Sequence, residues 1–458
     1  MTILCFDISS GGVSAALFTA ELEVIKLIED RWELKLDGAG AATLPIETVQ
    51  ERFRQVAGRL GIIHPVESVC IGSFMHNCVL LADGDKPVTP VFTWLDRRGE
   101  KGMEYLRCRL GDDFHRRTGC RFHPMFPVFK LATLYLDNPN LITQVRRVVS
   151  LKTFLAQRLT GVWREDHGMA SACGLYNVSH GDWDTTLPGL VGLKPECLPQ
   201  VSSRARVVGR VTPEGAGDFG IPEGTPVING SGDGFLANIG SDCETPSRIS
   251  VTLGTSAVAR QTLFQPVLDS RSGTFCYRAD ENVYVLGCAG SNGGNVLEWG
   301  RSLFGDSEKG AAEDIPIFIP LLHGERSPDW NPRMRGSWHE LTAAHTAADL
   351  KRSVVEGVVF NLAYFVEIVQ RTSGQKADEI VLSGNGFLHR DAAPIFAAVA
   401  GVPVWIPSDP GLASLRGAAI CALRAVGGPV PPLGASRVDP LQDARIVERY
   451  ERYKELRV

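Results

Sequence analysis

A basic surplus, paired-cysteine spacing and long uncharged apolar runs are all missing from this chain of 458 residues. Its 47 Lys and Arg are outnumbered by 52 Asp and Glu, for a net charge of −5, and no Lys/Arg-rich run appears. Nucleic acid is therefore not an expected partner. The 11 cysteines include no C-x-x-C pair and their number is odd. That spacing excludes a disulfide framework or a zinc module, and the cysteines read as small core residues of a reduced, cytoplasmic protein. The longest uncharged apolar stretch, "APIFAAVAGVPVWIP" from Ala393, holds three prolines and a glycine. It predicts helix, turn and strand, not a membrane span. Asp7 interrupts the first apolar run almost at once, so no secretory signal is expected. Aromatics are few, at 8%.

What is present is globular: 44% apolar and 22% charged residues, on a chain too long for one ordinary core. Strands are expected at Ile3–Phe6, Val13–Phe18 and Glu23–Ile28 as a β-meander. A helix follows at Ile46–Gly61, where Val49, Phe53, Val56 and Leu60 fall on one face. Strands at "VESVCIG" and "NCVLLAD" come next, then helical segments between Arg98 and Leu159. In the second half a long amphipathic helix spans Ala347–Thr372. It is followed by strand Glu379–Leu382, helix Asp391–Ala400, strand Val402–Ile406 and helix Ala413–Val426. Such alternation implies an α/β domain with a covered sheet.

One internal echo carries the functional reading. "FDISSGGVSAALF" and "VTLGTSAVARQTL", about half a chain apart, share strand, small-residue turn with hydroxyls, and strand. Two copies of one domain facing across a cleft would bring both turns to one ligand; two unrelated hairpins would look the same. The first turn raises a problem of its own. A turn of this kind can wrap N–H groups around phosphate, yet neither it nor its exit carries a Lys or Arg.

Elements in a fixed order from Asp7 to about Ala422 give the chain its resemblance to a known family. They are "FDISSGGVSAALF", "TWLDRRG", "GSGDGFLANIGS", "VTLGTSAV", "GSNGGNVLEWG", "PLLHGERSPDW" and "LSGNGFLHRDAAPIFAAVAGVPV". In this order they resemble the FGGY carbohydrate kinases. The resemblance implies an α/β fold of two actin-like (ribonuclease H-like) domains facing each other across the cleft. Residues 1–241 would bind substrate and supply the catalytic Asp, and residues 242–458 would bind nucleotide. "RTGCRFHPMFPVFKL", "VVSLKTFLAQRLTG", "MASACGLYNV" with the following "DWD", and "GSNGGNVLEW" are similar to the gluconokinase branch.

The resemblance assigns Asp233 as the catalytic base, accepting the proton of the attacking sugar hydroxyl; an Asp capping a helix that begins at Gly234 or Phe235 is the alternative. Asp7 is assigned beside Mg²⁺, with Asp233 as a second metal-proximal carboxylate; the alternative is a turn-forming Asp bonding the N–H groups of Ser9 and Ser10. Ser9, Ser10 and Gly11 form the first phosphate turn, and Gly254, Thr255 and Ser256 the second. Gly294, Gly384 and Asn385 fall to the adenosine of ATP, or to strand–helix turns needing glycine for geometry alone. For substrate, His76, Trp94, Asp96 and Arg98 come forward. Asp accepts polyol hydroxyls, Arg pairs with a carboxylate and an aromatic packs on the carbon chain. Gluconate offers all three features. Core packing of Trp94 and a surface Asp96–Arg98 ion pair are the alternatives. Glu325 and Arg326 lie in a family motif near the cleft, with a structural role open.

The chain departs from the family at the first turn, usually Asp-x-Gly-Thr-(Thr/Ser)-Ser-x-(Lys/Arg). Ser9 replaces the glycine, Gly11 and Gly12 replace hydroxyl residues, and Ser14 stands where the basic residue belongs. "SGNGF" also stands where a longer glycine run is usual. The expected activity is ATP- and Mg²⁺-dependent phosphorylation of a hydroxyl, expected to be terminal, on a sugar acid, sugar or polyol, gluconate first. A ketopentose or polyol kinase, and a catalytically weak sugar- or nucleotide-binding relative, are the alternatives. Partners are the carbohydrate and ATP, with neither nucleic acid nor membrane; a homodimer stays open.

Overall fold

The structure, a computed structural model, describes residues 1–61, 65–305, 314–388, 391–441 and 443–457. His389 and Arg390 of the "LSGNGFLHRD" motif lie outside the described residues. Two large mixed sheets organise the molecule. The first begins with β1 (Ile3–Ser9), β2 (Gly12–Phe18) and β3 (Val24–Arg31), the expected meander. Helix α1 (Ile46–Gly61) buries the anticipated stripe of Val49, Phe53, Val56 and Leu60. Strand β4 (Ser68–Ser73) then runs parallel to β1, and β5 (Val207–Arg210) and β6 (Pro226–Ile228) complete the order β5-β6-β4-β1-β2-β3.

The second sheet repeats the plan. After helix α2 (Asp233–Gly240) come β7 (Arg248–Leu253), β8 (Ala257–Leu263), β9 (Phe275–Asp280) and β10 (Val283–Gly290). Helices α3 (Gly294–Phe304) and α4 (Ala347–Ser373) follow, then β11 (Glu379–Ser383), α5 (Ala392–Ala400), β12 (Val404–Pro407), α6 (Ala413–Ala425) and β13 (Ala435–Val438). The strand order is β9-β10-β8-β7-β11-β12-β13. β7 stands to β8 and β11 as β1 stands to β2 and β4: one antiparallel hairpin partner, one parallel neighbour. The two expected actin-like α/β units are therefore present, and the sequence echo is a structural one. The strand expected at Val402 begins two residues later, past Pro403, which has no N–H to give the ladder.

Helix α4 is long and apolar enough to cross a membrane, but 83% of its most apolar window is buried within the protein. It is the core helix of the second unit, started by a Thr346/Asp349 capping box. The two units share a further core. Ile3, Cys5, Ala16 and Phe18 of the first sheet pack under Leu236 and Ile239 of α2 and Leu415, Ala419 and Ile420 of α6. α2 and α6 approach backbone to backbone: a Cβ on Gly240 would lie 1.9 Å from the Ala413 carbonyl oxygen, and one on Gly417 1.9 Å from that of Leu236. Only glycine permits this crossing, and it brings the start of α6 to the end of β1.

Candidate active site

Two carboxylates stand where β1 ends and α2 begins. Asp7 pairs across the ladder with Ser14 and, on its other side, with Gly72. Its Oδ1 is buried with no hydrogen-bond partner, and the carboxylate receives the Ser414 hydroxyl from α6. Of the turn, the Gly11 N–H bonds the Ser9 hydroxyl at 3.2 Å, and Asp7 Oδ1 takes no N–H from it. Burial, and then the neighbouring Asp233, raise Asp7 to about 7. Asp233 is the first residue of α2, with Gly232 and not Asp233 in the capping position. Its Oδ1 accepts the Gly234 N–H at 2.7 Å, and the Met75 N–H also reaches the carboxylate. Burial raises its pKa, opposed by those N–H groups and by Arg260.

Arg260 is a site residue the sequence reading passed over, although it is the one cation within either quoted hairpin. It lies on β8, buried, with Nε donating to Asn238 Oδ1 and Nη2 to Thr252 Oγ1, both at 2.8 Å. A Cβ at Gly234 would sit 3.1 Å from its Nη1. Arg260 thus ties the second unit's hairpin to the start of α2. Burial lowers it to about 10, countered by Asp233.

The two turns are braced differently. In the first, Ser9 Oγ donates to Gly12 O at 3.1 Å and accepts from Gly11 N, so both the Ser9 hydroxyl and the Gly11 N–H are spent inside the turn. Trp32 closes over it, its N–H and indole Nε1 donating to Gly11 O (3.1 Å) and Ser10 O (3.0 Å). The second turn is one residue wider. Gly254 O and Thr255 O accept from Gly294 N (2.7 Å) and Asn295 N (3.3 Å) at the start of α3. Gly294 is required there, since a Cβ would fall 2.6 Å from Gly254 O.

A cleft of about 1380 Å³ opens from the second turn, lined by Gly254, Thr255, Gly294, Gly384, Asn385 and Lys351 among others. Ser256 is not in that lining. Gly384 has φ +88° and its Cβ would meet Leu253 O at 2.5 Å, so glycine serves backbone geometry and the cleft wall together. Lys351 and Ser414, which carry no local signature, arrive from α4 and α6.

The substrate candidates divide. His76 is buried at φ +62°, and its Nδ1–H donates to Ala172 O at 2.8 Å. Burial lowers it to about 3, leaving a neutral ring against Phe126 and Tyr277. Trp94 is partly buried and packs under the Arg326 guanidinium, 5.6 Å from the ring centroid. Asp96 is fully buried and gripped by Arg98, whose Nη2 and Nε donate at 2.6 and 3.1 Å. Arg98 is spent on that pair and lies over Phe92. Arg326 is differently placed: Nη2 donates to Gly290 O at 2.7 Å, while Nε is buried without a partner. Its charge is felt by His76, His123 and Tyr277. Glu325, beside it, binds Asn361 and Arg457 and is a buttress of the second unit.

Comparison with known proteins adds independent findings. The N-terminal domain of the FGGY family of carbohydrate kinases matches residues 2–240, and the C-terminal domain residues 249–426. A gluconokinase of Bacillus subtilis (strain 168) is 29% identical over 385 residues, covering 79% of this chain and 75% of its own. A xylulose kinase of Escherichia coli (strain K12) is 27% identical over 401 residues, covering 83% and 81%. A crystal structure of gluconate kinase from Lactobacillus acidophilus superposes with a TM-score of 0.94 at 24% identity, over 100% of this chain and 97% of the other.

Proposed function

We propose that this chain, which belongs to the FGGY family of carbohydrate kinases, transfers the γ-phosphoryl group of ATP to a terminal hydroxyl of gluconate. Phosphorylation of a sugar, sugar acid or polyol at the expense of ATP follows from the family and its relatives. The observation that carries the choice of a sugar acid is Arg326. A guanidinium with a buried, unpartnered Nε, laid over Trp94 and close to neutral His76, suits a carboxylate in a polyol pocket. Arg98, the cation expected for that task, is already paired with Asp96.

In this reading Asp233 accepts the proton of the attacking hydroxyl as the O–P bond forms and the bond from the γ-phosphorus to the bridging oxygen breaks. ADP departs, and the proton leaves Asp233 for solvent when product is released. Gly254 and Thr255 hold the terminal phosphates, and Gly294, Gly384 and Asn385 the nucleoside. Mg²⁺ fits the first turn: the orphaned, buried Asp7 Oδ1 beside Asp233 is an oxygen set for a hard cation that keeps several waters. When bound, such an ion screens phosphate charge. A division into substrate domain 1–241 and nucleotide domain 242–458 accords with Asp7, Asp233 and His76 on one side and the cleft-lining glycines on the other. ATP use and unpaired cysteines support a cytoplasmic setting.

A ketopentose kinase is the second reading, favoured by the xylulose kinase relatives. The test is a panel of aldonates, ketopentoses and polyols with ATP and Mg²⁺. Gluconate is expected to give the highest kcat/KM, and its ranking last would reject it as substrate.

A further inference from the structure

The first turn presents an electrostatic mismatch: a place for phosphate with Asp7 and Asp233 beside it and no cation in the turn itself. The strand next to it supplies one. The β2–β3 ladder pairs Ser14 with Glu29 and Gly12 with Arg31, while β1 pairs Asp7 with Ser14. Opposed residues share a face of a sheet, so Asp7, Gly12, Ser14 and Arg31 lie on one face. Further down, that face carries Ile3, Cys5, Ala16 and Phe18 against α2 and α6. At its upper end Asp7 receives the hydroxyl of Ser414, which lines the cleft, while Asp7 and the first turn are not part of that lining. Arg31 therefore stands one rung nearer the turn than Ser14, and diagonal neighbours of this kind are about 7–8 Å apart, within reach of a long side chain.

Three further observations point the same way. Gly12 is glycine because β3 presses on it: a Cβ would lie 2.3 Å from Asp30 O and 3.1 Å from Arg31 Cα. Trp32, the next residue, locks the end of β3 onto the turn through its bonds to Ser10 and Gly11. The neighbouring charges are occupied, Asp30 by Arg52 at 3.2 Å and Glu29 by the Ser14 hydroxyl at 3.3 Å. The Arg31 side chain is exposed and makes no ion pair among the described residues. Arg260, the buried cation whose charge acts on Asp233, is committed to Asn238 and Thr252.

We infer that Arg31 is the cation of the first phosphate turn, its guanidinium meeting the terminal phosphate oxygens of the bound nucleotide from β3. The inference rests on the kinase reading of the cleft. Arginine suits the task because its planar fork takes two phosphate oxygens at once. The position explains why an arm from β2 is dispensable: Gly12, Arg31 and Trp32 form one unit in which the close approach of β3 delivers the charge.

Calorimetry tests this without turnover, using β,γ-imido-ATP with Mg²⁺, and AMP as control. Arg31→Met should weaken the triphosphate analogue about tenfold and leave AMP within about twofold. Adding Ser14→Lys to Arg31→Met should recover most of the loss, because the lysine projects from the same face. Melting temperatures of both variants should match the wild type, as the side chain is exposed. Analogue affinity unchanged in Arg31→Met would overturn the role of Arg31 and leave the kinase reading standing. A wild-type protein that does not bind the analogue at millimolar concentration would overturn both.

Discussion

The two hairpins share one plan and carry opposite charge, Asp7 in the first and Arg260 in the second. Aligned by their turns, Asp7 of the first corresponds to Thr252 of the second, and Ser9, Ser10 and Gly11 to Gly254, Thr255 and Ser256. The first is acidic, tight, and folded in on itself: its serine hydroxyl and one N–H are consumed internally and an indole seals it. The second is wider: its Gly254 N–H is likewise bonded within the turn, to Ser256 O at 3.0 Å, but its carbonyls are turned back toward α3, and a buried arginine stands behind Thr252. In the proposed reading, the first hairpin sets a carboxylate beside the metal ion and the transferred proton and takes its positive charge from Arg31 on β3, and the second offers backbone to the phosphates with Arg260 behind it.

The strongest way to break that contrast is to remove the proton acceptor on the acidic side. Asp233→Asn keeps the shape and the bond from Gly234 N while abolishing basicity. A positioned general base contributes about 10²–10⁴-fold, so kcat with gluconate should fall about 10³-fold while KM for gluconate changes little. Near-wild-type turnover of the true substrate would end the mechanism. Melting temperature serves as the control for folding.

A smaller effect should come from the cation that joins the two sides. Both carboxylates are raised by burial, Asp7 to about 7, and Arg260 holds Asp233 down. Asp233 must be ionised to accept a proton, so activity is present above the folded pKa and is lost as pH falls through it. kcat/KM should therefore fall on the acid side at a pH above the ordinary carboxylate range, because burial raises Asp233. Arg260→Met should lower kcat about 10–100-fold and move that limb to higher pH, since Arg260 holds Asp233 down. Arg260→Lys should recover part of the shift. A merely structural arginine would change stability and leave the limb in place.

How much of this the sequence disclosed depends on how local the signal was. The meander, α1, α4 and the order of the motifs were readable because their periodicity and turn residues are written within one element. The places of Asp7 near a strand end and Asp233 at a helix start were readable because glycine and small residues flank them in a known order. Arg98 shows the limit of that signal: two residues from Asp96, it left both a substrate cation and an Asp96–Arg98 ion pair open, and the structure has the ion pair. Arg260 and Arg326 sat inside quoted motifs, but their importance arises from α2 and Trp94, which come from distant segments. Ser414 and Lys351 have no local mark at all, since the crossing of α2 with α6 and the approach of α4 to the cleft bring them in.

The finest contrast between the hairpins lies in their glycines, and it separates packing from ligand contact. Gly12 faces the β3 backbone, so Gly12→Ala forces Asp30 or Arg31 to move; overpacking of this kind costs about 1–3 kcal/mol. Gly254 has nothing nearer than Ser256 O at 3.9 Å, and a Cβ on Gly11 would meet no atom within 4 Å. Neither has a positive φ that would penalise a side chain. Gly254→Ala and Gly11→Ala should therefore melt with the wild type, while Gly12→Ala melts several degrees lower, about 2–4 °C per kcal/mol for a chain larger than 150 residues. The added methyl at 254 then meets only the nucleotide, and should raise KM for ATP a few-fold with KM for gluconate unchanged. A methyl at 254 that lowered the melting temperature as much as one at 12 would mean that both turns are packing devices, and that the openness of the second is not kept for phosphate.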